Sequence, residues 1–231
     1  MSFSTPKQER TFINVLSSDG TWRKGVKEGT PKAERRDYEL KDGRKGTKFE
    51  LVYSKFEGII TNVGIYEGDL FRSLHISLKD ETTGESAVLS IPADGSYGSD
   101  TMKKLPAINL SLPVSFAPYS FEDDKKKLRK GMSIVQEGKK IQSVFFDFAT
   151  KKPLRGFPEP EGDIATYRKE DWKIHFMRVS KFLIAETEKW IASKNFSPAW
   201  PEEKPLTDEE KKNLTDIKAE VDGLDPSQIP F

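Results

Sequence analysis

Cysteine is missing from all 231 residues, so no disulfide, thiolate nucleophile or zinc–thiolate site can form. Histidine is scarce. Only His75 and His175 occur, and neither has a partner ligand at metal-binding spacing. No run of about 18 apolar residues exists that would cross a membrane as a helix. The segment Met1–Arg10 is polar and lacks the apolar core of a secretion signal. Four motifs that would mark a hydrolase, nucleotide or zinc site are also absent: G-x-S-x-G, G-x-x-x-x-G-K-[ST], G-x-G-x-x-G and H-E-x-x-H. These absences point to a non-enzymatic, cytoplasmic protein with no cofactor and no metal. The 37 acidic residues stand in no distinctive pair that would suggest otherwise.

What the chain does have is charge, unevenly placed. Charged residues make up 32% of the sequence, yet the net charge is only +1. Residues 201–231 hold nine acids and four lysines, a local charge of −5, which leaves +6 on residues 1–200. Within that body, Thr21–Lys48 carries ten basic residues against five acids. Lys125–Lys140 carries seven against one. A basic body joined to an acidic tail suits a nucleic-acid binder whose tail competes for the same groove.

The hydrophobic pattern is mainly that of strands. Phe12–Leu16 is β-rich and ends at Ser17-Ser18-Asp19-Gly20; Thr21–Lys27 reads as its hairpin return. Pro31–Gly46 reads as a long charged loop. A long strand is expected over Thr47–Val63, bent near Gly58. Leu74, Ile76 and Leu78 alternate with Ser73, His75 and Ser77, which puts the aliphatic set on the core face and His75 with Phe71 on the other. Ser86–Ile91 is a further strand. A short helical window at Ser99–Leu105 precedes a strand at Leu110–Phe116, and Gly131–Phe148 reads as a hairpin turning at Glu137-Gly138. Thr166–Asn195 is the clearest helix, with Trp172, Phe176, Val179, Leu183 and Trp190 on one stripe. Thr207 and Glu210 form a capping box for a shorter one. The expected division is a β domain at 1–165, an amphipathic helix packed on it at 166–196, and a linker with an acidic tail at 197–231.

Single-stranded nucleic acid requires cations for phosphates and exposed aromatic faces for unstacked bases. The sequence interleaves the two. Trp22 precedes Arg23, Lys24 and Lys27; Tyr53 stands by Lys55 and Phe56; Phe71 adjoins Arg72 and His75; Tyr97 precedes Lys103 and Lys104. Tyr119 and Phe121 lead into the lysine run at Lys125. One face of every strand must be buried, so Tyr53 and Phe56 also suit the core. Trp22, with few apolar neighbours, is the expected platform.

The chain reaches Ile229-Pro230-Phe231 through an acidic stretch. A Phe ring can fill a shallow pocket while a partner's basic side chain takes a carboxylate. This tip resembles that of bacterial single-stranded DNA-binding proteins. At least five short strands with a Gly-bent long one suit the OB-fold, a five-stranded Greek-key barrel. The resemblance implies sequence-independent single-stranded DNA binding in replication, recombination or repair, with Ile229, Pro230 and Phe231 recruiting partner proteins. The linker is Pro-rich and charged rather than Gly/Gln-rich, Pro226-Ser227-Gln228 separates the tip from the nearest acids, and the long helix is an addition. A bacteriophage protein acting in the host cytoplasm fits these departures. RNA binding and assembly of several copies on DNA stay open. The competing expectation is a protein-interaction adaptor or host-factor inhibitor that does not bind nucleic acid.

Overall fold

The alternating segments become a single sheet. The computed structural model describes residues 11–196, apart from 17, 40–42, 69–71, 125, 148, 151 and 195. Ten strands pair in it: β1 Thr11–Leu16, β2 Thr21–Val26, β3 Glu34–Glu39, β4 Lys45–Tyr53, β5 Phe56–Glu67, β6 Arg72–Lys79, β7 Ser86–Pro92, β8 Val114–Glu122, β9 Leu128–Gln136 and β10 Lys139–Lys140. Their order is β10-β9-β8-β5-β6-β7-β1-β2-β4-β3. Every neighbouring pair is antiparallel except β1 and β7. Helix α1, Ser96–Lys104, lies between β7 and β8, and α2, Lys169–Ser193, follows the sheet. A two-stranded ladder joins β11 Phe146–Asp147 to β12 Lys152–Pro153.

The sheet curls on itself without closing. The Trp22 indole N–H on β2 donates to the Phe116 carbonyl on β8 at 3.1 Å, although the two strands are five places apart in the order. Gly20 turns the chain between β1 and β2 with φ of 66°, pressed against β8. A Cβ there would stand 2.5 Å from the Ser120 nitrogen. No ladder joins β2 to β8, because β4 occupies the other edge of β2. The expected five-stranded OB-fold-like Greek-key barrel is therefore corrected to an open ten-stranded sheet among the described residues. The mostly β character and the long helix stand.

Two misread segments account for the extra strands. Residues 31–46, expected as a loop, contain β3 and the start of β4. The expected long strand over 47–63 is two strands, broken at Ser54 and Lys55. The hairpin at Glu137-Gly138 forms, but its return strand has only two residues.

The concave face holds the core: Ile13, Val15, Trp22, Val63, Leu74, Ile76, Leu89, Ile91, Phe116 and Ile134. Helix α2 adds Val179, Leu183, Ile184 and Trp190 to this same cluster. The later part of the expected stripe, Val179, Leu183 and Trp190, packs as the spacing predicts, whereas Trp172 and Phe176 are half-buried and His175 is buried between them. Side chains finish what the ladders leave open. At the free edge of β9, the Asp100 carboxylate on α1 accepts the Met132 N–H at 2.7 Å. Lys104 donates to the Met132 carbonyl at 2.7 Å and pairs with Asp100 at 2.8 Å. The buried Gln136 amide pins residues 109–112, accepting from the Asn109 N–H and donating to the carbonyls of Asn109 and Leu112. No helix among the described residues is long and apolar enough to cross a membrane.

Candidate nucleic-acid interface

The strand registers define one continuous polar face. Phe12 lies opposite Val88, Asn14 opposite Ser90 and Arg23, and His75 opposite Gly64 and Ser90. Tyr66 lies opposite Ser73. Residues opposite one another share a side of a sheet, so Tyr66, His75, Phe12, Asn14 and Arg23 all share the side away from the core. Most of their neighbours there are Gly, Ser and Asn, and Ser73 and Ser90 are buried beside His75.

Three aromatic rings meet on this face. Tyr66 stacks on His75 at 4.5 Å between centroids with planes 26° apart. Phe12 meets the other side of the cluster edge-on, 5.6 Å from His75. Phe12 is 43% exposed and His75 only 8%. Burial pulls the His75 pKa down to about 4, so the ring is neutral near pH 7 and acts as an aromatic surface, not as a cation.

Several expected contacts lie elsewhere. Trp22, the expected platform, is completely buried on the opposite face, packed edge-on against Phe56 at 6.2 Å. Tyr53 shares that face, 4.8 Å from Phe56 and half-buried. Lys24, two residues on from Trp22, shares the face as well and is half-buried. Tyr97 is buried in α1. Trp22 and Tyr97 are thus core residues with no face open to a base, and Tyr53 packs against the core at its margin. Arg72 falls on the register of Leu74, across the sheet from His75, and pairs with Glu67 at 3.3 Å. Phe71 and the Ile229-Pro230-Phe231 tip lie outside the described residues.

The expected phosphate-binding cations are mostly engaged. Arg23 pairs with Asp19 at 2.6 Å, Glu34 at 3.4 Å and Glu50 at 3.5 Å. Lys104 is held in the clamp with Asp100 and Met132. Lys103 stands over the Phe157 ring, 5.2 Å from its centroid. Its ammonium is pulled below the usual lysine range by burial, against the opposing pull of Asp100. Lys55 is exposed and paired with Glu57 at 3.3 Å. Lys27 is exposed at the end of β2.

Two residues of the aromatic face, Phe12 and Tyr66, were not singled out in the sequence. Both stand on the polar register of a strand, beside Asn14 in one case and Gly64 and Asn62 in the other. That combination is a readable signal. A second exposed aromatic pair does fall where the sequence interleaves rings with lysines. Tyr119 and Phe121 on β8 lie 5.8 Å apart and are 37% and 54% exposed. Arg129 stands opposite Phe121, and Lys126 and Lys127 in the adjoining turn are exposed.

No family model, no curated protein and no solved structure matches this chain.

Proposed function

We propose that the chain binds single-stranded DNA without sequence preference on the polar face of its curled sheet. The observation that carries this reading is the contact cluster of Phe12, His75 and Tyr66 on a face otherwise lined by small polar residues. Phe12 offers an open ring, and Tyr66 and His75 hold each other flat behind it. Every base has a π face, so such a surface accepts bases of any identity. Tyr119 and Phe121, beside the lysines of the β8–β9 turn, supply a second stacking place. The curled sheet with α1 between β7 and β8 is compatible with an OB-like origin, enlarged by β1–β4. In this reading the protein serves replication, recombination or repair, and Ile229-Pro230-Phe231 recruits partner proteins. No catalytic role is included.

The test is fluorescence anisotropy of labelled oligo-dT against a labelled duplex. Anisotropy of the label is preferred to intrinsic fluorescence because, of the four tryptophans, Trp22 is in the core, Trp172 and Trp190 are on α2, and Trp200 lies outside the described residues. Tight binding to oligo-dT, weak duplex binding and loss with added salt are expected. Phe12→Ala should weaken oligo-dT binding by about tenfold, in line with roughly 1–3 kcal/mol per stacked base. Unchanged affinity in a folded Phe12→Ala protein would remove this face from consideration.

One observation favours the second reading, a protein-interaction adaptor. Ile174 and Met177, one turn apart on α2, and Ile164, in the turn before it, are each about half exposed, apolar surface that nucleic acid does not require. Absence of oligo-dT binding at low salt would leave that reading alone.

A further inference from the structure

The aromatic cluster occupies only part of its face. Following the register outward from β1, Asn14 opposes Arg23 on β2, and Arg23 opposes Val52 on β4. Glu50 on β4 opposes Glu34 on β3, Lys48 opposes Arg36, and Gly46 opposes Tyr38. Tyr66, His75, Phe12, Arg23, Lys48, Arg36 and Tyr38 therefore lie on one side of one sheet. From β5 to β3 is six strand steps, about 29 Å at roughly 4.8 Å per step.

The far end of this face has a distinct construction. Residues 45–48 of β4 pair with β3 alone, because β2 meets β4 only from Phe49 onward. The β3–β4 ribbon thus projects past the rest of the sheet. On the shared face the Tyr38 ring lies across Gly46, where a Cβ would stand 2.5 Å from the Tyr38 hydroxyl oxygen. The Lys48 ammonium is 4.7 Å from the centroid of the same ring. Between ribbon and cluster, the buried Glu50 carboxylate receives the Arg36 guanidinium through two hydrogen bonds, 2.9 and 3.1 Å, and lies 3.5 Å from Arg23. Two arginines here face three carboxylates, Asp19, Glu34 and Glu50, so both guanidinium groups are neutralised and held in place. A ring laid flat against a glycine, with a lysine ammonium over it, brings together an aromatic and a cation, the two kinds of contact that a single strand requires.

We infer that a bound strand crosses the sheet from Tyr66 toward Tyr38 and is gripped at its far end by the β3–β4 ribbon. This rests on the reading of the aromatic face proposed above. The ribbon extends the contact to further phosphates and one further base, so it matters for long oligonucleotides and not for short ones.

The experiment compares labelled oligo-dT of about 4 and about 16 nucleotides, the range covered by one such binding fold. Full-length wild type is set against Phe12→Ala and the double substitution Tyr38→Ala, Lys48→Gln. The double variant should bind the long oligonucleotide about tenfold more weakly, with its salt slope reduced by about 0.7 for one lost phosphate contact. It should bind the short one as wild type does, and Tyr38→Phe, Lys48→Arg should restore the long-oligonucleotide affinity. Phe12→Ala should weaken both. If the double variant binds both lengths as wild type, or loses both equally, the ribbon is not part of the track. In either case a loss on Phe12→Ala still leaves the aromatic face standing. If Phe12→Ala changes neither length, the reading of the face and this inference fall together.

Discussion

Trp22 shows how burial decides a residue's role. Its sequence neighbours Arg23 and Lys24 made it a stacking candidate, yet its indole fills the core and donates to Phe116. Trp22→Ala is expected to destabilise the protein by about 3–5 kcal/mol, as large-to-small changes in a packed core do. Chemical denaturation measures this. DNA affinity of whatever fraction stays folded should not change. Glu50 carries a second residue-scale expectation. Removing the buried carboxylate takes away the two-bond acceptor of Arg36 while Arg23 keeps Asp19 and Glu34, so Glu50→Ala should cost roughly 1–3 kcal/mol by chemical denaturation. His75 gives a pH dependence. Its folded pKa of about 4 lies below the unfolded value of 6.5, so only the unfolded chain takes up a proton between those values. Its contribution to stability is complete above pH 6.5 and is lost as pH falls toward 4, by about 3 kcal/mol in all. His75→Phe should flatten the denaturation midpoint over this window. An equally steep fall in the variant would show that other groups cause it.

Between elements, side chains replace missing ladder bonds. The clamp of Asp100 and Lys104 on Met132 joins α1 to the exposed edge of β9, leaving less of that edge open to another strand. Asp100→Ala would leave the Met132 N–H and the Lys104 ammonium without this partner. A loss of about 1–3 kcal/mol is expected, together with faster amide exchange at Met132. Amide exchange resolves the site directly; protection equal to wild type at Met132 would refute the clamp. The β1–β2 turn makes a similar join. Gly20→Ala places a methyl group against the Ser120 backbone at positive φ, and β2 should separate from β8 as a consequence.

For the whole molecule, the charge split between body and tail is the property to test. Residues 201–231 carry −5, and their removal leaves +6 on the rest of the chain. Deleting residues 225–231 should leave oligo-dT affinity unchanged or raise it, and should abolish capture of any partner that reads Ile229-Pro230-Phe231. Anisotropy and a pull-down with the intact chain as control measure the two effects separately. A large fall in DNA affinity on deletion would place those residues in the binding surface.

Sequence alone determined what depends on local periodicity and composition. The alternation of Leu74, Ile76 and Leu78 marked the core face of β6 and put His75 on the other side. The spacing of Val179, Leu183 and Trp190 marked the buried stripe of α2, and the missing cysteines excluded thiolate chemistry. Tertiary structure alone decided which of two alternating faces became the core wherever both carried aromatics. It buried Trp22 on β2 and Tyr97 in α1, packed Tyr53 half-buried against the core, and drew Phe12, Tyr66 and His75 from β1, β5 and β6 into one cluster. Strand period 2 states that two residues lie on opposite sides, but it holds no information about which strands will be neighbours. That information resides in non-local pairings such as the parallel β1–β7 contact, between residues about 76 positions apart in the chain.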